Sequence, residues 1–370
     1  MSSRALTVVV AVVGIVIGFV LMEGTIRLYA RIDPTFATGM RQFDPLGVQI
    51  EPLGRLGYRQ RPNGVFHYGN RTVAHSNSLG YRGPEVSRTP DSGVVRIVLF
   101  GGSTTHGFGV TDDETIDAYM RAIYRQRDPS HRYEVVNLGF DGYDSYQDLE
   151  RLRSDGLPMR PTVVVFNAGI NDVRNARFQN LADPDPRTLI WEPVLARLRA
   201  DAARGRPEVW SIIKHYSFVA RTPGYVRNQL AQRSRQLGRR RVDQQLEDSL
   251  PAQTALASSD EPRYLAAADQ FERHVREMVR LSLEQGVKVV LSTPASALRE
   301  YPPNAVSDRD YWIANAKMTQ DYRDELDRRL RLIDTEEEAR GDAVRYLSAT
   351  VPFADFLDDC HLKPEGNRMV

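Results

Sequence analysis

Val94-Val95-Arg96-Ile97-Val98-Leu99-Phe100 runs directly into Gly101-Gly102-Ser103-Thr104-Thr105-His106-Gly107. The opening run is β-branched and apolar at successive positions, the pattern of a strand buried on both faces. The glycine pair that follows ends the strand, which leaves Ser103 at its exit. Further along, Tyr133–Asn137, Val163–Asn167, Val287–Ser292 and Val344–Leu347 read as four more strands. Asp112–Arg127, Ser145–Asp155, Tyr264–Gln285 and Asp310–Leu332 read as helices between them. Strands alternating with helices predict a parallel sheet covered on both faces, a three-layer α/β/α sandwich. Ligands of such sheets gather beyond the carboxyl ends of the strands. The segments at Gly101, Leu138, Ala168 and Ser292 all lie just past predicted strand ends.

Four of these places carry residues suited to chemistry. Ser103 fits neither a P-loop, which needs a lysine, nor a Gly-x-Ser-x-Gly elbow, because Thr105 stands where the last glycine belongs. Alone, it is equally a plain strand-to-helix turn. In Asn137-Leu138-Gly139-Phe140-Asp141-Gly142, Gly142 can turn its N–H toward a ligand or simply make a turn. In Asn167-Ala168-Gly169-Ile170-Asn171-Asp172, Asn171 can donate to a developing oxyanion or cap the next turn. Asp358-Asp359-Cys360-His361 offers a carboxylate and an imidazole on one short turn, or a capped helix start. Serine is a weak nucleophile until an imidazole takes its proton, and the imidazole needs a carboxylate to fix its tautomer.

These four segments, in this order, resemble the blocks of the SGNH (GDSL-type) hydrolase superfamily, over roughly Val94 to Asn367 less an insertion. The layout is similar to membrane-anchored bacterial members: an apolar N-terminus, an Asn77-Ser78-Leu79-Gly80-Tyr81-Arg82 turn, then Gly-Gly-Ser-Thr. The resemblance implies a flavodoxin-like fold with a five-stranded parallel sheet. It implies Ser103 as nucleophile, His361 as base and Asp358 as the orienting carboxylate. The oxyanion hole would be the backbone N–H groups of Ser103 and Gly142 with the Asn171 amide. Gly102 departs from the family, which has aspartate there. Asp359 lacks the three-residue spacing of Asp358 from His361. The resemblance also implies a closing helix where this sequence stops at Val370. Arg82 and His106 are weaker candidates for substrate contact, the alternatives being a structural salt bridge and a first-turn helix position. A Cys360 nucleophile is disfavoured, since adjacent residues rarely face each other.

Composition narrows the function further. The 370-residue chain has a formal net charge of +1, which gives no global field for nucleic acid. One cysteine excludes an intramolecular disulfide, and the seven histidines have no metal-ligand spacing. No metal or organic cofactor is expected.

Ala5–Met22 is uncharged and mostly apolar, at the lower bound of a bilayer span. An uncleaved anchor with the rest exported, periplasmic or extracellular, is the expectation; a cleaved signal peptide or a buried helix are the alternatives. Residues 1–32 are thus expected to be the membrane anchor and its flank, 33–93 an extended turn-rich segment on the core, and 94–370 the hydrolase domain. A helical cap, residues 173–263, would interrupt that domain, with a basic run from Arg227 to Arg241. The expected function is a serine esterase acting on O-acyl, acetyl-sized esters of an envelope or extracellular carbohydrate, or on another small ester. An O-acyltransferase using the same site and a catalytically silent carbohydrate-binding protein are the alternatives.

Overall fold

The computed structural model describes residues 3–33, 36, 40, 49–68, 72–169, 171–172, 192–205, 209–227, 230, 262–297, 316–357 and 360–370. The chain divides into two compact units: Met1–Gln49 with His67–Arg71 and Arg197–Pro251, and Ile50–Phe66 with Thr72–Ala196 and Ala252–Val370.

In the first unit the apolar run forms one helix, α1 (Ser3–Ile32). Its stretch Ala5–Ile32 is long and apolar enough to cross a membrane, and none of its most apolar window is buried. Both properties are also those of a signal sequence.

The second unit holds the sheet. It begins with an antiparallel pair, β1 (Ile50–Leu53) and β2 (Gly57–Gln60). Two short strands follow, β3 (Val65–Tyr68), whose last two residues are counted with the first unit, and β4 (Thr72–His75). The segment read as turn-rich therefore contains short strands, each of four residues and too brief to show a period. Next come β5 (Val94–Gly101), the four-residue α2 (Ser103–His106), α3 (Ile116–Arg127), β6 (Arg132–Asn137), α4 (Ser145–Arg151) and β7 (Val163–Asn167). After helices α5 (Glu192–Arg204) and α6 (Val209–Tyr216) the unit resumes with α7 (Pro262–Leu283), β8 (Lys288–Ser292), α8 (Ala316–Arg340), β9 (Val344–Tyr346) and α9 (Pro364–Met369).

The main sheet is parallel throughout, in the order β6-β5-β7-β8-β9. Its two faces carry alternating residues, as the two-residue period of a strand requires. Val98, Phe100, Val136, Val164 and Phe166 pack with Leu149, Phe271, Val275, Leu326 and Leu330 of α4, α7 and α8. Ile97, Leu99 and Val135 pack with Ile116 of α3 on the other face. Asn367 of α9 joins that layer by donating to the Glu114 carbonyl at 3.0 Å. Three layers result, and the strand order places a crevice between β5 and β7, where successive connections leave in opposite directions.

Element ends differ from expectation for local reasons. α3 starts at Ile116, not Asp112, because the Thr115 hydroxyl caps it by accepting the Ala118 N–H. Asp112 instead faces Arg82 and His75. α8 runs on past Leu332 to Arg340, while residues 310–315 of the expected helix lie outside the described set. Arg96, the one charge in the β5 run, is fully buried and pairs with Glu134 opposite it on β6.

Candidate active site

β5 delivers Ser103 to the crevice through two glycines with different constraints. Gly101 has φ +149°, and a Cβ there would lie 2.3 Å from Thr105 Oγ1 and 2.4 Å from the Asn167 carbonyl oxygen. No other residue fits. Gly102 has an ordinary φ of −83°, so space alone restricts it. A Cβ on Gly102 would lie 2.4 Å from Asn171 Nδ2 and 3.1 Å from the Tyr143 carbonyl oxygen. The Asn171 amide thus occupies the place where the resemblance leads one to expect an aspartate side chain.

His361 reaches Ser103 from the far end of the chain. Its Nε2 lies 2.7 Å from Ser103 Oγ, and both residues are half-buried. The turn carrying it is tied at several points. Leu357 N–H donates to the His361 carbonyl at 2.7 Å, and Phe356 bridges Leu362. Lys363 N–H donates to the Asp355 carbonyl at 2.8 Å. The Phe108 ring lies 4.4 Å from the imidazole centroid at an interplanar angle of 35°, limiting its rotation. Asp358 and Asp359 lie outside the described residues. The Cys360 sulfur lies 3.9 Å from His361 Nδ1, and the cysteine is buried.

The Asn171 amide donates to the Tyr143 carbonyl at 2.8 Å. Gly142 has φ +84°, in the left-handed region that favours glycine. Its loop is carried to the site by Leu138 and Phe140, whose N–H groups donate to the Leu99 and Gly101 carbonyls. The loop is braced from the other side by β2. Tyr58 OH donates to the Asp141 carbonyl at 2.8 Å, and Tyr143 OH donates to the Tyr58 carbonyl at 2.7 Å.

Arg82 and His106 do not project toward a substrate. The Arg82 side chain is fully enclosed and donates to the carbonyls of His106, Gly107 and Val110, with Asp112 at 3.1 Å. His106 is equally enclosed, its Nδ1 3.2 Å from Asp141 Oδ1 and its Nε2 3.1 Å from Gln60 Oε1. The expectation of substrate contact gives way to support: one organises the loop after α2, the other ties α2 to the Gly142 loop. Tyr58 and Phe108 were missed, because an isolated aromatic in a short strand or a loop carries no sequence signal of its partner.

Behind Asn171 stands an acidic group in which Asp144 and Asp148 are buried and Asp172 is half-buried. Asp172 accepts the Ser145 N–H at 3.2 Å and the Ser145 hydroxyl at 2.5 Å, and Ser145 Oγ lies 2.9 Å from His274 Nδ1. Burial first, and Asp144 second, push the Asp172 carboxyl up to about 7, against the Ser145 hydrogen bonds. Burial, with Asp172 and Asp144, raises Asp148 well above the usual range. Burial lowers the His274 imidazole.

Two expected results follow from this geometry. Gly102→Ala forces the Asn171 amide aside and lowers kcat by about 10², the effect of roughly 1 Å of misplacement; unchanged kcat would show that the amide position is unimportant. The Asp172 pKa is raised in the fold above its ordinary 3.8, so the native state holds a proton that the unfolded chain releases. The contribution of Asp172 to stability is therefore fully present below 3.8 and is lost as pH rises toward about 7. Asp172→Asn removes part of this decline, with Asp148 supplying the remainder; melting temperatures across the range that fall equally in both proteins would refute the assignment.

The sequence profile of the GDSL-like lipase/acylhydrolase family matches residues 99–369, and the chain belongs to that family. It is accordingly a carboxylic ester hydrolase. Among solved structures it is similar to a GDSL-like lipase from Bacteroides thetaiotaomicron VPI-5482, at 14% identity over 74% of this chain and 82% of that one, with a TM-score of 0.34. It is also similar to an acetylxylan esterase from Geobacillus stearothermophilus, at 15% identity over 74% and 90% of the two chains, with a TM-score of 0.36. No curated protein matches the chain.

Proposed function

We propose that the protein is a membrane-tethered serine esterase that removes small O-acyl groups, of acetyl size, from an envelope or extracellular carbohydrate. The observation that carries the mechanism is the 2.7 Å approach of His361 Nε2 to Ser103 Oγ, between residues 258 positions apart. His361 takes the Ser103 proton as Oγ attacks the ester carbonyl, and Asp358 stabilises the imidazolium. The N–H groups of Ser103 and Gly142 and the second N–H of Asn171 receive the oxyanion. Collapse expels the alcohol, which takes the proton from His361. Water then attacks the acyl-serine, His361 again acting as base, and the acid leaves. The envelope substrate is supported by α1, which suits a protein held at a membrane.

The test is release of p-nitrophenol from acetyl, butyryl and octanoyl esters, beside acetate release from an acetylated polysaccharide. Turnover falling with acyl length, together with acetate release, supports the reading. A preference for octanoyl would refute the acetyl-sized assignment, and no hydrolysis of any ester would refute the esterase.

A further inference from the structure

Helix α6 (Val209–Tyr216), in the first unit, is amphipathic in the wrong direction for a water-soluble surface. Val209, Ile212, Ile213 and Tyr216 fall at the spacing of one helical face. Val209 and Tyr216 are each 70% exposed, and Trp210 beside them is 54% exposed. The small polar residue Ser211 is the buried one. A helix on a water-facing surface would turn that stripe inward.

The helix is fastened at a particular height on α1. Glu23 of α1 accepts the Ser217 hydroxyl at 2.9 Å and the N–H groups of Phe218 and Val219 at 3.0 and 2.9 Å. It thereby caps a helix over residues 218–227. Arg27 of α1 donates to the Tyr216 carbonyl at 2.6 Å, and its guanidinium lies 5.4 Å from the Phe218 ring centroid. At 1.5 Å rise per residue, Glu23 stands about 27 Å along the helix from Ala5. The hydrocarbon core of a bilayer is about 30 Å thick. In a bilayer crossed by α1 from Ala5, the C-terminal end of α6 would thus be tied where hydrocarbon gives way to headgroups. More aromatic side chains gather there: Tyr29 packs edge-on against Phe36, and Phe36 against Tyr225. Trp and Tyr favour this depth, and Lys214, with its ammonium 6.0 Å from the Trp210 ring, suits the headgroup side.

We propose that α6 lies in the interfacial plane of the bilayer that α1 crosses, its Val209/Ile212/Ile213/Tyr216 stripe buried at the boundary between acyl chains and headgroups. The occupant of this face is lipid. The proposal rests on α1 being a membrane span, and adds a second contact in the plane of the membrane.

The test uses the full chain in vesicles of mixed phosphatidylcholine and phosphatidylglycerol. An environment-sensitive fluorophore is placed on Ile213→Cys, Val12→Cys or, as a water-exposed control, Arg125→Cys, each with Cys360→Ala. Brominated lipids serve as depth-resolved quenchers. The expected result is a blue shift and quenching at position 213 by lipids brominated near the glycerol, quenching at position 12 by lipids brominated deeper, and neither at position 125. Trp210, left as the sole tryptophan by Trp191→Phe and Trp312→Phe, should give the shallow pattern without an attached probe. Quenching at 12 with none at 213 or Trp210 would overturn the proposal and leave the anchor standing. No quenching at 12 would overturn the anchor and the proposal together.

Discussion

Ser103→Ala lowers kcat on a p-nitrophenyl ester by roughly 10⁴–10⁶, and His361→Gln does the same. The double variant is no slower than either single one. Non-additivity is the informative part: a nucleophile and its base act as one device, so removing the second member of a broken pair costs nothing further. Independent residues would multiply their losses instead. Ser103 sits half-buried at the start of a four-residue helix, so its loss opens no core cavity and the melting temperature should hold. Steady-state rates with circular-dichroism melts decide the matter. Substantial activity in the Ser103→Ala protein would remove the serine mechanism altogether.

Asn171→Ala lowers kcat by about 10²–10³ and leaves KM nearly unchanged. An oxyanion donor acts on charge that exists only in the transition state, which is why the loss belongs in kcat. Asn171 also holds the Tyr143 carbonyl, so a purely structural role is the competing explanation. That role would lower the melting temperature and raise KM with little selective change in kcat. The pattern across these readouts separates the two. A carboxylate in the same place, Asn171→Asp, should be worse than alanine, because it presents an acceptor to a developing anion.

The sheet was legible because strands buried on both faces are written as largely apolar runs, and β5, β7 and β8 are such runs, with Arg96 the one charge inside β5 and Lys288 at the start of β8. Ser103, Gly142, Asn171 and His361 could be listed because each follows a strand or belongs to a short spaced motif. Direction was not legible. Arg82 and His106 are of residue types that suit a binding surface, yet both turn inward to satisfy carbonyls and neighbours that their own segments do not contain. The β1–β2 brace was hidden for a related reason. Tyr58 bonds Asp141 and Tyr143, more than eighty residues away. The Gly102 departure, a weakness on the page, has a spatial reason in the fold: Asn171 already fills that volume.

The Arg96–Glu134 pair has a bearing on the opposite end of the sheet. The guanidinium gives two hydrogen bonds to Glu134, and others to the Arg88 and Met159 carbonyls, from a fully buried position. If β5 and β6 slid past each other by one residue, Arg96 would face Tyr133 or Val135 instead. A buried charge stripped of its partner costs about 3–5 kcal/mol. The slip would also move Ser103 relative to Gly142 by about 3.3 Å, when productive geometry tolerates about 0.5 Å. A pair that contributes little to net stability thus works as an alignment key, cut at the base of two strands and read out at their tips.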